Sequence, residues 1–428
     1  MKDSGIEWIG TIPDTWKVQR FKNVMHKDKK ICEHYQGQDI ISLTMNGVII
    51  RDLENPSGKM PTTWDGYQFV EPEDLLLCLF DIDVTPRCVG LVKDAGLTSP
   101  AYSRFKVHKG YYNAYYDYLL RWIDDEKIFI HLSKNLRSSL SEDDFGAIHT
   151  IVPPLAEQQK IAAFLDKQCS EIDAVLTKTK ESIEEYKLLK NAIITQAVTK
   201  GIRPNRKMKD SGIEWIGEIP EEWNIEPLTN RFSFGKGLPI TKENLVEKGI
   251  PVISYGQIHG KYNPGTSLVE QLFRYVSEEY LNSNPQCLVH KNDLIVADTS
   301  EDLDGCGNAA YIDKEMKLFA GYHTVILFAK NKESNKYFSY LLKTDAWRSQ
   351  IRAGLIEVKL YSVSRKVLKK TNLLIPSQKE QTEIVEYLDK KCNQIDTLIT
   401  KKEQLITELE TYKKSLIYEY VTGKKEVQ

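Results

Sequence analysis

The sequence predicts an α+β protein built as a tandem repeat. Two globular mixed α/β inserts are expected to be separated by two long antiparallel coiled-coil helices related by a pseudo-twofold axis. Three observations predict this fold class: a duplicated opening segment, a duplicated helical segment after each insert, and apolar columns with a seven-residue period along both helical segments. The length of 428 residues also exceeds what one core usually supports, so at least two domains are expected.

The opening segment occurs twice. Residues 1–18 read MKDSGIEWIGTIPDTWKV and residues 208–225 read MKDSGIEWIGEIPEEWNI, with 13 of 18 positions identical. A second pair, residues 157–178 and 380–401, has 11 of 22 positions identical. The intervening residues 19–152 and 226–375 show little resemblance to each other. A common frame therefore carries two unlike inserts, and this contrast favours two different ligands over two packing units.

The frame segments after the inserts have the pattern of a coiled coil. From Leu155 to about Thr199, apolar side chains recur every seven residues in columns that include Leu165 and Cys169, and the second copy repeats these columns. Lys190 and Lys413 each place a charge in an apolar column, which costs stability and often fixes the register; a docking contact for another subunit is the less favoured interpretation.

Prolines and glycines predict where these helices begin and end. Pro153-Pro154 and Pro376 suit the starts, and Gly201 and Gly423 suit the ends. The predicted organisation is a first insert domain at 1–152, a first spacer helix at 153–202, a second insert domain at 203–375 and a second spacer helix at 376–428.

Within the inserts, short elements are predicted from apolar runs. Strands are expected within residues 68–80, 286–297 and 320–329, and helical spacing occurs at 112–122 and 337–347. The order of the strands does not follow from these patterns.

Composition excludes several classes of protein. The chain is 41% hydrophobic and 28% charged with a net charge of −2, which is typical of a soluble globular protein and gives no overall positive field. Seven cysteines at irregular spacing support neither a disulfide framework nor a zinc site. No apolar stretch suggests a signal peptide or a membrane span, so we expect a cytoplasmic protein without a membrane partner.

The sequence contains no complete catalytic motif. Gly235-Lys236-Gly237 lacks the spacing of a phosphate-binding loop. Asp14 with Asp28-Lys29-Lys30 fits the bare pattern of a magnesium-dependent nuclease, but Asp28 lies in a polar stretch, so a solvated charged turn is favoured. No catalytic, cofactor-binding or metal-binding residues are therefore predicted.

Polar loop residues provide the candidate chemistry of recognition. Amide side chains can pair with adenine, and basic side chains with guanine, in the major groove of DNA. The second insert, with a net charge of +4 over residues 226–374, and the first, with −3 over 19–150, offer these candidates: Tyr255, Gln257, His259, Lys261 and Asn263 in the second, and Thr44, Asn46, Arg51, Arg87 and Arg104 in the first.

The repeat order resembles that of a known family. Lys-Asp-Ser-Gly-Ile-Glu-Trp-Ile-Gly-x-Ile-Pro-x-x-Trp opens each half, and Pro-Pro-Leu-Ala-Glu-Gln-Gln-Lys-Ile-Ala or Ile-Pro-Ser-Gln-Lys-Glu-Gln-Thr-Glu-Ile opens each helix. Together with Thr98-Ser99-Pro100-Ala101-Tyr102, these segments resemble the specificity subunits of type I restriction-modification enzymes. The acidic segment 298–308 departs from what a loop near a phosphate backbone should contain.

The resemblance implies a function. The inserts would be target-recognition domains that each read one half of a split, asymmetric site in double-stranded DNA, and the helices would set the gap. The chain would be non-catalytic. Two modification subunits would use S-adenosylmethionine, and restriction subunits would use ATP and Mg²⁺. The alternatives are a structural coiled-coil adaptor and, less favoured, a self-sufficient DNA methyltransferase or nuclease.

Overall fold

The structure is a computed structural model that describes residues 1–45, 47–55, 61–85, 87–133, 138–331, 333–355 and 360–427. The chain divides into two compact units. Unit 1 comprises Met1–Lys180 and Glu403–Gln428, and unit 2 comprises Glu181–Lys402. Each unit therefore contains one insert and parts of both long helices. The predicted domain boundaries concern sequence segments and stay a prediction.

Two long helices, Leu155–Lys200 and Gln378–Val421, occupy the segments with the seven-residue period. Their first turns are held by glutamines of the repeated Glu-Gln pair: Nε2 of Gln158 donates to the carbonyl of Pro153 at 2.8 Å, and Nε2 of Gln381 to that of Pro376 at 3.0 Å. Both end at a glycine in the left-handed region, Gly201 with φ 77° and Gly423 with φ 69°. The expected starts and ends of the helices are thus confirmed.

The helices pair in antiparallel fashion within each unit. In unit 1, Phe164 packs on Tyr420 with ring centroids 4.5 Å apart, and Nζ of Lys413 lies 2.6 Å from Oδ1 of Asp173. The contacts run in opposite directions along the two segments, as an antiparallel pair requires. The apolar columns face the pair: Leu165 and Leu388 are both fully buried. The predicted antiparallel coiled coil is confirmed.

Unit 2 repeats this pairing with the equivalent residues. Nζ of Lys190 lies 2.6 Å from Oδ2 of Asp396, and Lys402 lies over the ring of Tyr186. Both column lysines therefore bind an aspartate of the other helix, at positions that correspond in the two repeats. This arrangement matches the register-setting role predicted for them.

Unit 1 contains two four-stranded sheets, with the orders β6-β5-β10-β7 and β4-β11-β8-β9. The two-stranded ladder β1-β2 lies within the opening segment, and the ladder β3-β12 joins the end of that segment to the end of the insert. The strands are β1 Lys2–Asp3, β2 Thr11–Ile12, β3 Lys17–Arg20, β4 Met25–Lys27, β5 Ile40–Thr44, β6 Gly47–Ile50, β7 Gln68–Val70, β8 Leu75–Leu77, β9 Val89–Leu91, β10 Gly96–Thr98, β11 Ser103–Val107 and β12 His149–Val152. The short helices of the insert are Asn113–Asp125, Ile128–Leu132 and Glu142–Ala147.

Unit 2 contains the sheets β18-β17-β23-β19 and β16-β24-β20-β22, with the ladders β13-β14, β15-β26 and β21-β25. The strands are β13 Met208–Asp210, β14 Glu218–Pro220, β15 Asn224–Pro227, β16 Phe232–Lys236, β17 Ile250–Ile253, β18 Arg274–Val276, β19 Leu288–Val289, β20 Leu294–Ala297, β21 Thr299–Ser300, β22 Ala309–Tyr311, β23 Leu318–Ala320, β24 Thr324–Ala329, β25 Tyr361–Ser362 and β26 Asn372–Ile375. The short helices are Leu228–Arg231, Tyr255–Ile258, Tyr280–Ser283, Lys336–Leu342, Asp345–Arg352 and Arg365–Leu368.

The two inserts share one topology although their sequences differ. In each, one four-stranded sheet is wholly antiparallel and the other contains a single parallel pair, β5 with β10 and β17 with β23. The loop that follows β5 and the loop that follows β17 therefore occupy equivalent places. This equivalence places Thr44, at the end of β5, and Tyr255, shortly after β17, at the same edge of the same kind of sheet.

Two expectations for the inserts need correction. The helix expected at 337–347 is two helices, because the hydroxyl of Thr344 accepts from the backbone N–H of Trp347 and caps a new helix at that point. The strand expected at 320–329 begins at Thr324, because the chain first turns through His323, whose φ is 54°.

Buried aromatic side chains attach each insert to the frame. The hydroxyl of Tyr115 donates to the carbonyl of Val421 at 2.8 Å, and that of Tyr337 donates to the carbonyl of Val198 at 2.9 Å. Each bond joins an insert to the end of the long helix that comes from the other repeat. The insert of each unit is thereby fixed to the helix pair by equivalent contacts.

Candidate nucleic-acid interface

The candidate loop of unit 2 begins where β17 ends. Ser254 caps the short helix Tyr255–Ile258, and its backbone N–H donates to Oε1 of Gln257 at 3.1 Å. Ile258, which is buried, anchors the helix on the insert core. Capping and this anchor define the conformation from which the polar side chains of the loop project.

His259 joins this loop to a second one. Its Nε2 lies 2.8 Å from the carbonyl of Thr299, and its Nδ1 lies 3.0 Å from Nδ2 of Asn308. Both ring nitrogens of His259 therefore have a polar partner within the protein. His259 therefore positions two loops and has no ring nitrogen left for a base.

Asn263 has a similar internal role. Its Nδ2 donates to the carbonyls of Ile258 and Ala309, at 2.8 and 3.0 Å, and its Oδ1 accepts from the backbone N–H of Gly265 at 2.9 Å. Both donors and the acceptor of the amide are thus used in closing the loop. The structure places this predicted contact residue among the groups that shape the loop.

The remaining candidates of this loop present groups to solvent. Within the described part of the chain, no acceptor is found for Nε2 of Gln257, whose side chain is partly exposed. Lys261 is exposed, with Nζ 4.9 Å from the ring centroid of Tyr262, which is 57% exposed. An exposed amide, amine and aromatic ring in one short loop can hydrogen-bond to base edges or phosphates and stack on bases.

Tyr255 belongs to an aromatic corner that the sequence analysis missed. Its ring packs edge-on against Tyr322 at 5.6 Å and His323 at 5.3 Å. His323 is exposed, and Nδ1 lies 3.4 Å from Oδ1 of Asp298. The corner arises from the parallel pairing of β17 with β23, a pairing between segments about 70 residues apart that leaves no local signal in the sequence.

The acidic segment 298–308 lies directly beside this loop, through the contacts of His259. Its backbone is held by two arginines: Nη1 of Arg348 donates to the carbonyl of Asp304 at 3.1 Å, and Nε of Arg352 donates to that of Leu303 at 3.0 Å. Burial lowers the pKa of Arg348 to about 10. The two guanidinium groups offset part of the negative charge of the segment.

The candidates of unit 1 begin at the equivalent strand end. Thr44 is the last residue of β5, and its hydroxyl donates to the carbonyl of Gly47 at 2.9 Å, which closes the hairpin to β6. The predicted contact residue Asn46 lies outside the described residues. Arg51 follows β6, is partly exposed, and donates its backbone N–H to the carbonyl of Ile40 at 2.7 Å. Thr44 and Arg51 thus belong to one hairpin but lie at its opposite ends, Thr44 next to the turn and Arg51 at the open end.

Arg87 lies away from that hairpin and packs against the helix Asn113–Asp125. Its Nη1 lies 2.9 Å from Oδ1 of Asp125 and 3.7 Å from Oδ2 of Asp124, and its side chain is 17% exposed. The structure assigns this arginine to a partly buried ion-pair cluster that holds the loop after β8.

Arg104 requires a correction of its predicted place. Its side chain is 1% exposed, with Nε 2.5 Å from Oδ2 of Asp74 and Nη2 3.2 Å from Oε2 of Glu71. A buried guanidinium is retained in such a site because the carboxylates compensate for its lost hydration. Arg104 therefore lies in the interior of the insert and presents no group at the surface.

The described residues contain no cluster suited to a metal ion. Among them there is no group of three or more histidine, cysteine, aspartate or glutamate side chains placed to hold a metal ion. The seven cysteines are free and buried, and burial raises the pKa of thiols such as that of Cys78. A search of the same residues for a helix of sufficient length and apolarity to cross a membrane found none.

Comparison with known proteins gives consistent results. Residues 220–409 match the family model described as the type I restriction modification DNA specificity domain. A curated relative, the type I restriction enzyme MjaVIII specificity subunit of Methanocaldococcus jannaschii, is 25% identical over 259 residues, which are 60% of this chain and 57% of that protein. The chain thus spans less than two thirds of the length of this relative.

Solved structures share the fold. A chain from a study of complex assembly and conformational transition in the type I R-M system matches with a TM-score of 0.71 and 14% identity, over 97% of this chain and 100% of that one. The HsdS subunit from Thermoanaerobacter tengcongensis matches with a TM-score of 0.53 and 14% identity, over 97% and 98%. The tandem arrangement of inserts and long helices is therefore a known fold.

The sequence motifs of the frame, the duplicated fold and the matched family model point the same way. Residues 220–409 are similar to the type I restriction modification DNA specificity domain, and the resemblance of the chain to the specificity subunits of type I restriction-modification enzymes is confirmed.

Proposed function

We propose that the chain is the non-catalytic DNA-specificity subunit of a type I restriction-modification complex in the cytoplasm. Each insert would read one half of a split site in double-stranded DNA. The observation that carries this proposal is the shared topology of the inserts combined with unlike loops at equivalent strand ends, after β5 and after β17. A shared scaffold with different loops is the expected design for two related modules that read different sequences.

The difference between the loops also determines the symmetry of the site. Identical modules related by a twofold axis impose a palindromic site, whereas unlike modules do not. In unit 1 the loop after β5 is a tight hairpin, while in unit 2 the loop after β17 holds a helical turn and carries Gln257, Lys261 and Tyr262. We therefore propose a non-palindromic target with an unread gap.

The long helices would set that gap and dock two modification subunits, which would use S-adenosylmethionine. Restriction subunits, using ATP and Mg²⁺, would complete the complex. The proposal for the gap is supported by the continuity of Leu155–Lys200 and Gln378–Val421, neither of which contains a proline or glycine. The ion pairs of Lys190 and Lys413 support a fixed register.

The test is a footprint and a methylation map of the chain in complex with modification subunits. We expect protection and methylation of a bipartite, non-palindromic sequence. A continuous or palindromic target, or protection without sequence preference, would contradict the proposal. Transfer of a radiolabelled methyl group from S-adenosylmethionine by the isolated chain would instead support the self-sufficient enzyme.

A single substitution tests base reading. Gln257→Ala removes the exposed amide and is expected to cost ~1–3 kcal/mol of binding and to relax specificity in one half-site only. Gln394→Ala, on an exposed face of the second long helix in the same unit, is the matched control and should leave specificity unchanged. Uniform weakening across all sequences by Gln257→Ala would show that the residue contacts phosphate and does not read a base.

Insertions in the helices test the gap. Seven residues added after Lys178, and seven after Lys401, keep the heptad phase and lengthen each helix by ~10 Å, close to three base-pair steps. The double insertion should preserve both half-site sequences and lengthen the gap. Two-residue insertions rotate the apolar columns by ~200° and should abolish binding through misfolding. An unchanged gap in a stable seven-residue double insertion would show that the helices do not set it.

A further inference from the structure

A short turn near the end of the second insert carries four exposed cations. The hydroxyl of Ser364 accepts from the backbone N–H of Val367 at 3.3 Å and caps the helix Arg365–Leu368, and Leu368 is fully buried beneath it. We call residues 364–370 the basic turn. The exposed cations are Arg365, Lys366, Lys369 and Lys370.

The first insert has the same turn with the opposite charge. Ser141 caps the helix Glu142–Ala147 by accepting from the backbone N–H of Asp144 at 3.1 Å, and Phe145 is the buried anchor. Here the first turn of the helix carries Glu142, Asp143 and Asp144. Since cap and anchor are shared while the charge is reversed, folding does not require cations at this place.

The basic turn is connected to the candidate loops of unit 2. It follows β25, in which Ser362 and Tyr361 pair with Thr299 and Ser300 of β21. The carbonyl of Thr299 is the partner of His259. Arg365 is three residues after Ser362, so its Cα lies at most ~11 Å from that strand. The cations therefore extend the surface formed by the loops after β17 and β20.

The four cations have no carboxylate partner within the described part of the chain. None of them forms an ion pair with a described residue, and the one described contact is that of Lys369 with the face of Phe234, where Nζ lies 5.7 Å from the ring centroid. Four unpaired exposed cations in six residues repel one another and attract a polyanion.

We propose that the basic turn binds the phosphate backbone of double-stranded DNA beside the half-site read by the second insert, and that the equivalent acidic turn of the first insert does not. This inference rests on the proposed function and deepens it. Phosphate contacts position a protein on a duplex and supply affinity without sequence information. The second insert would then provide more of the electrostatic affinity, and the first would depend more on other contacts.

The experiment measures the salt dependence of binding. The complex of the full chain with modification subunits is titrated with a fluorescent duplex that contains the target, from low to moderate salt. The test variant carries Arg365→Gln, Lys366→Gln, Lys369→Gln and Lys370→Gln. The control carries Lys242→Gln, Lys248→Gln, Lys314→Gln and Lys317→Gln, four exposed lysines on segments that precede β17 and β23, at the opposite ends of these strands from the candidate loops.

Each lost phosphate contact removes ~0.9 from the slope of log K against log salt concentration. The test variant is therefore expected to lose about two to four units of slope, with its sequence preference intact. The control, which has the same net charge, is expected to keep the wild-type slope. Lys366→Gln alone should reduce the slope by about one unit, and it provides the measurement if the fourfold variant does not fold.

Several results would overturn the inference. A wild-type slope in the test variant would exclude phosphate contact, and if assembly with the modification subunits were lost at the same time, the turn would be a protein contact. An equal reduction of the slope in the test and control variants would indicate that the net charge of the chain, and not contact at the basic turn, sets the salt dependence of binding. Absence of sequence-specific binding by the wild-type complex would instead refute the proposed function itself.

Discussion

The two inserts use one strand order but fill equivalent positions with different chemistry. In β11 of the first insert Arg104 is buried against Asp74, whereas the equivalent position in β24 of the second insert holds Ile326, which is fully buried. A paired charge and an aliphatic side chain thus occupy the same interior site. The difference shows that this topology tolerates either solution, provided that a buried charge keeps its partner.

The surfaces differ more than the cores. The turn before the last insert strand is acidic at Glu142 and basic at Arg365, although Ser141 and Ser364 cap it in the same way. Groups that the fold needs, such as the caps and the buried anchors, are retained in both inserts, while solvent-facing charges are not. Divergence is therefore concentrated where a ligand could be contacted.

The largest effect is expected at the buried arginine of the first insert. Arg104→Ala leaves the carboxylate of Asp74 buried and unpaired, so we expect a loss of ~3–5 kcal/mol in the free energy of unfolding of unit 1. The double substitution Arg104→Ile with Asp74→Leu, which removes both the buried cation and its carboxylate partner, should recover much of that loss. Denaturant unfolding measures both.

The exposed Lys109→Ala serves as the control for this comparison and should change stability by less than ~0.5 kcal/mol. If Arg104→Ala behaved like Lys109→Ala, the arginine would not be part of the core, and its assignment as a surface residue would be restored.

A second effect concerns how the stability of unit 2 depends on pH. Burial lowers the pKa of Lys343 from 10.5 to about 8, and its Nζ donates to the carbonyl of Pro264 at 2.7 Å. The folded state therefore favours the neutral amine. Below pH about 8 the lysine is charged in both the folded and the unfolded state, and burying this charge lowers the free energy of unfolding by its full amount. Above that pH the folded state loses its proton first, so stability should rise until pH ~10.5, by at most roughly 3 kcal/mol.

Lys343→Met should remove this rise in stability. The measurement is the free energy of unfolding in urea at pH 7.5 and at pH 9.5, compared between the variant and the wild type. The exposed Lys314→Met should retain the rise. The equivalent position in unit 1 is Arg121, paired with Asp117 at 2.5 Å, and an arginine does not titrate in this range. An identical pH dependence in Lys343→Met would mean that other groups cause it.

A smaller effect distinguishes loop folding from recognition. Asn263→Ala removes the three hydrogen bonds that close the loop after β17, and we expect a loss of about 1–2 kcal/mol in the stability of unit 2. Gln257→Ala removes one capping hydrogen bond, from the backbone N–H of Ser254, so it should cost less stability than Asn263→Ala while altering sequence preference. Thermal unfolding beside a binding assay separates these outcomes, and the reverse pattern would exchange the roles of the two residues.

The smallest effects are expected at the helix ion pairs. Lys190→Ala and Lys413→Ala each remove a partly exposed pair with an aspartate, worth ~0.2–1 kcal/mol. The exchange Lys190→Asp with Asp396→Lys should restore the loss in unit 2, because charge complementarity is kept. A larger effect of either lysine on assembly with modification subunits than on stability would favour the docking interpretation.

Local periodicity was enough to predict the frame. The duplicated motifs, the seven-residue columns, and the prolines and glycines at the helix ends are all short-range signals, because a helix is formed by hydrogen bonds between residues four apart. They predicted the two helices that the structure shows as Leu155–Lys200 and Gln378–Val421, together with the antiparallel pairing of these helices. Of the candidate residues, Thr44 is the last residue of β5 and Gln257 lies in the short helix after β17, and their role as contact residues stays a prediction.

Tertiary structure decided which polar residues of the inserts are buried and which face solvent. Strands of three to five residues, such as β10 and β17, have too little pattern to reveal a partner, and the parallel pairing of β5 with β10 joins segments almost 60 residues apart. Whether a polar side chain faces solvent depends on which charged or hydrogen-bonding groups the strand pairing places next to it. Asp74 draws Arg104 into the core, and the carbonyls of Ile258 and Ala309 use the amide of Asn263. Such partners are distant in sequence, so only the folded chain shows which polar groups remain available to a ligand.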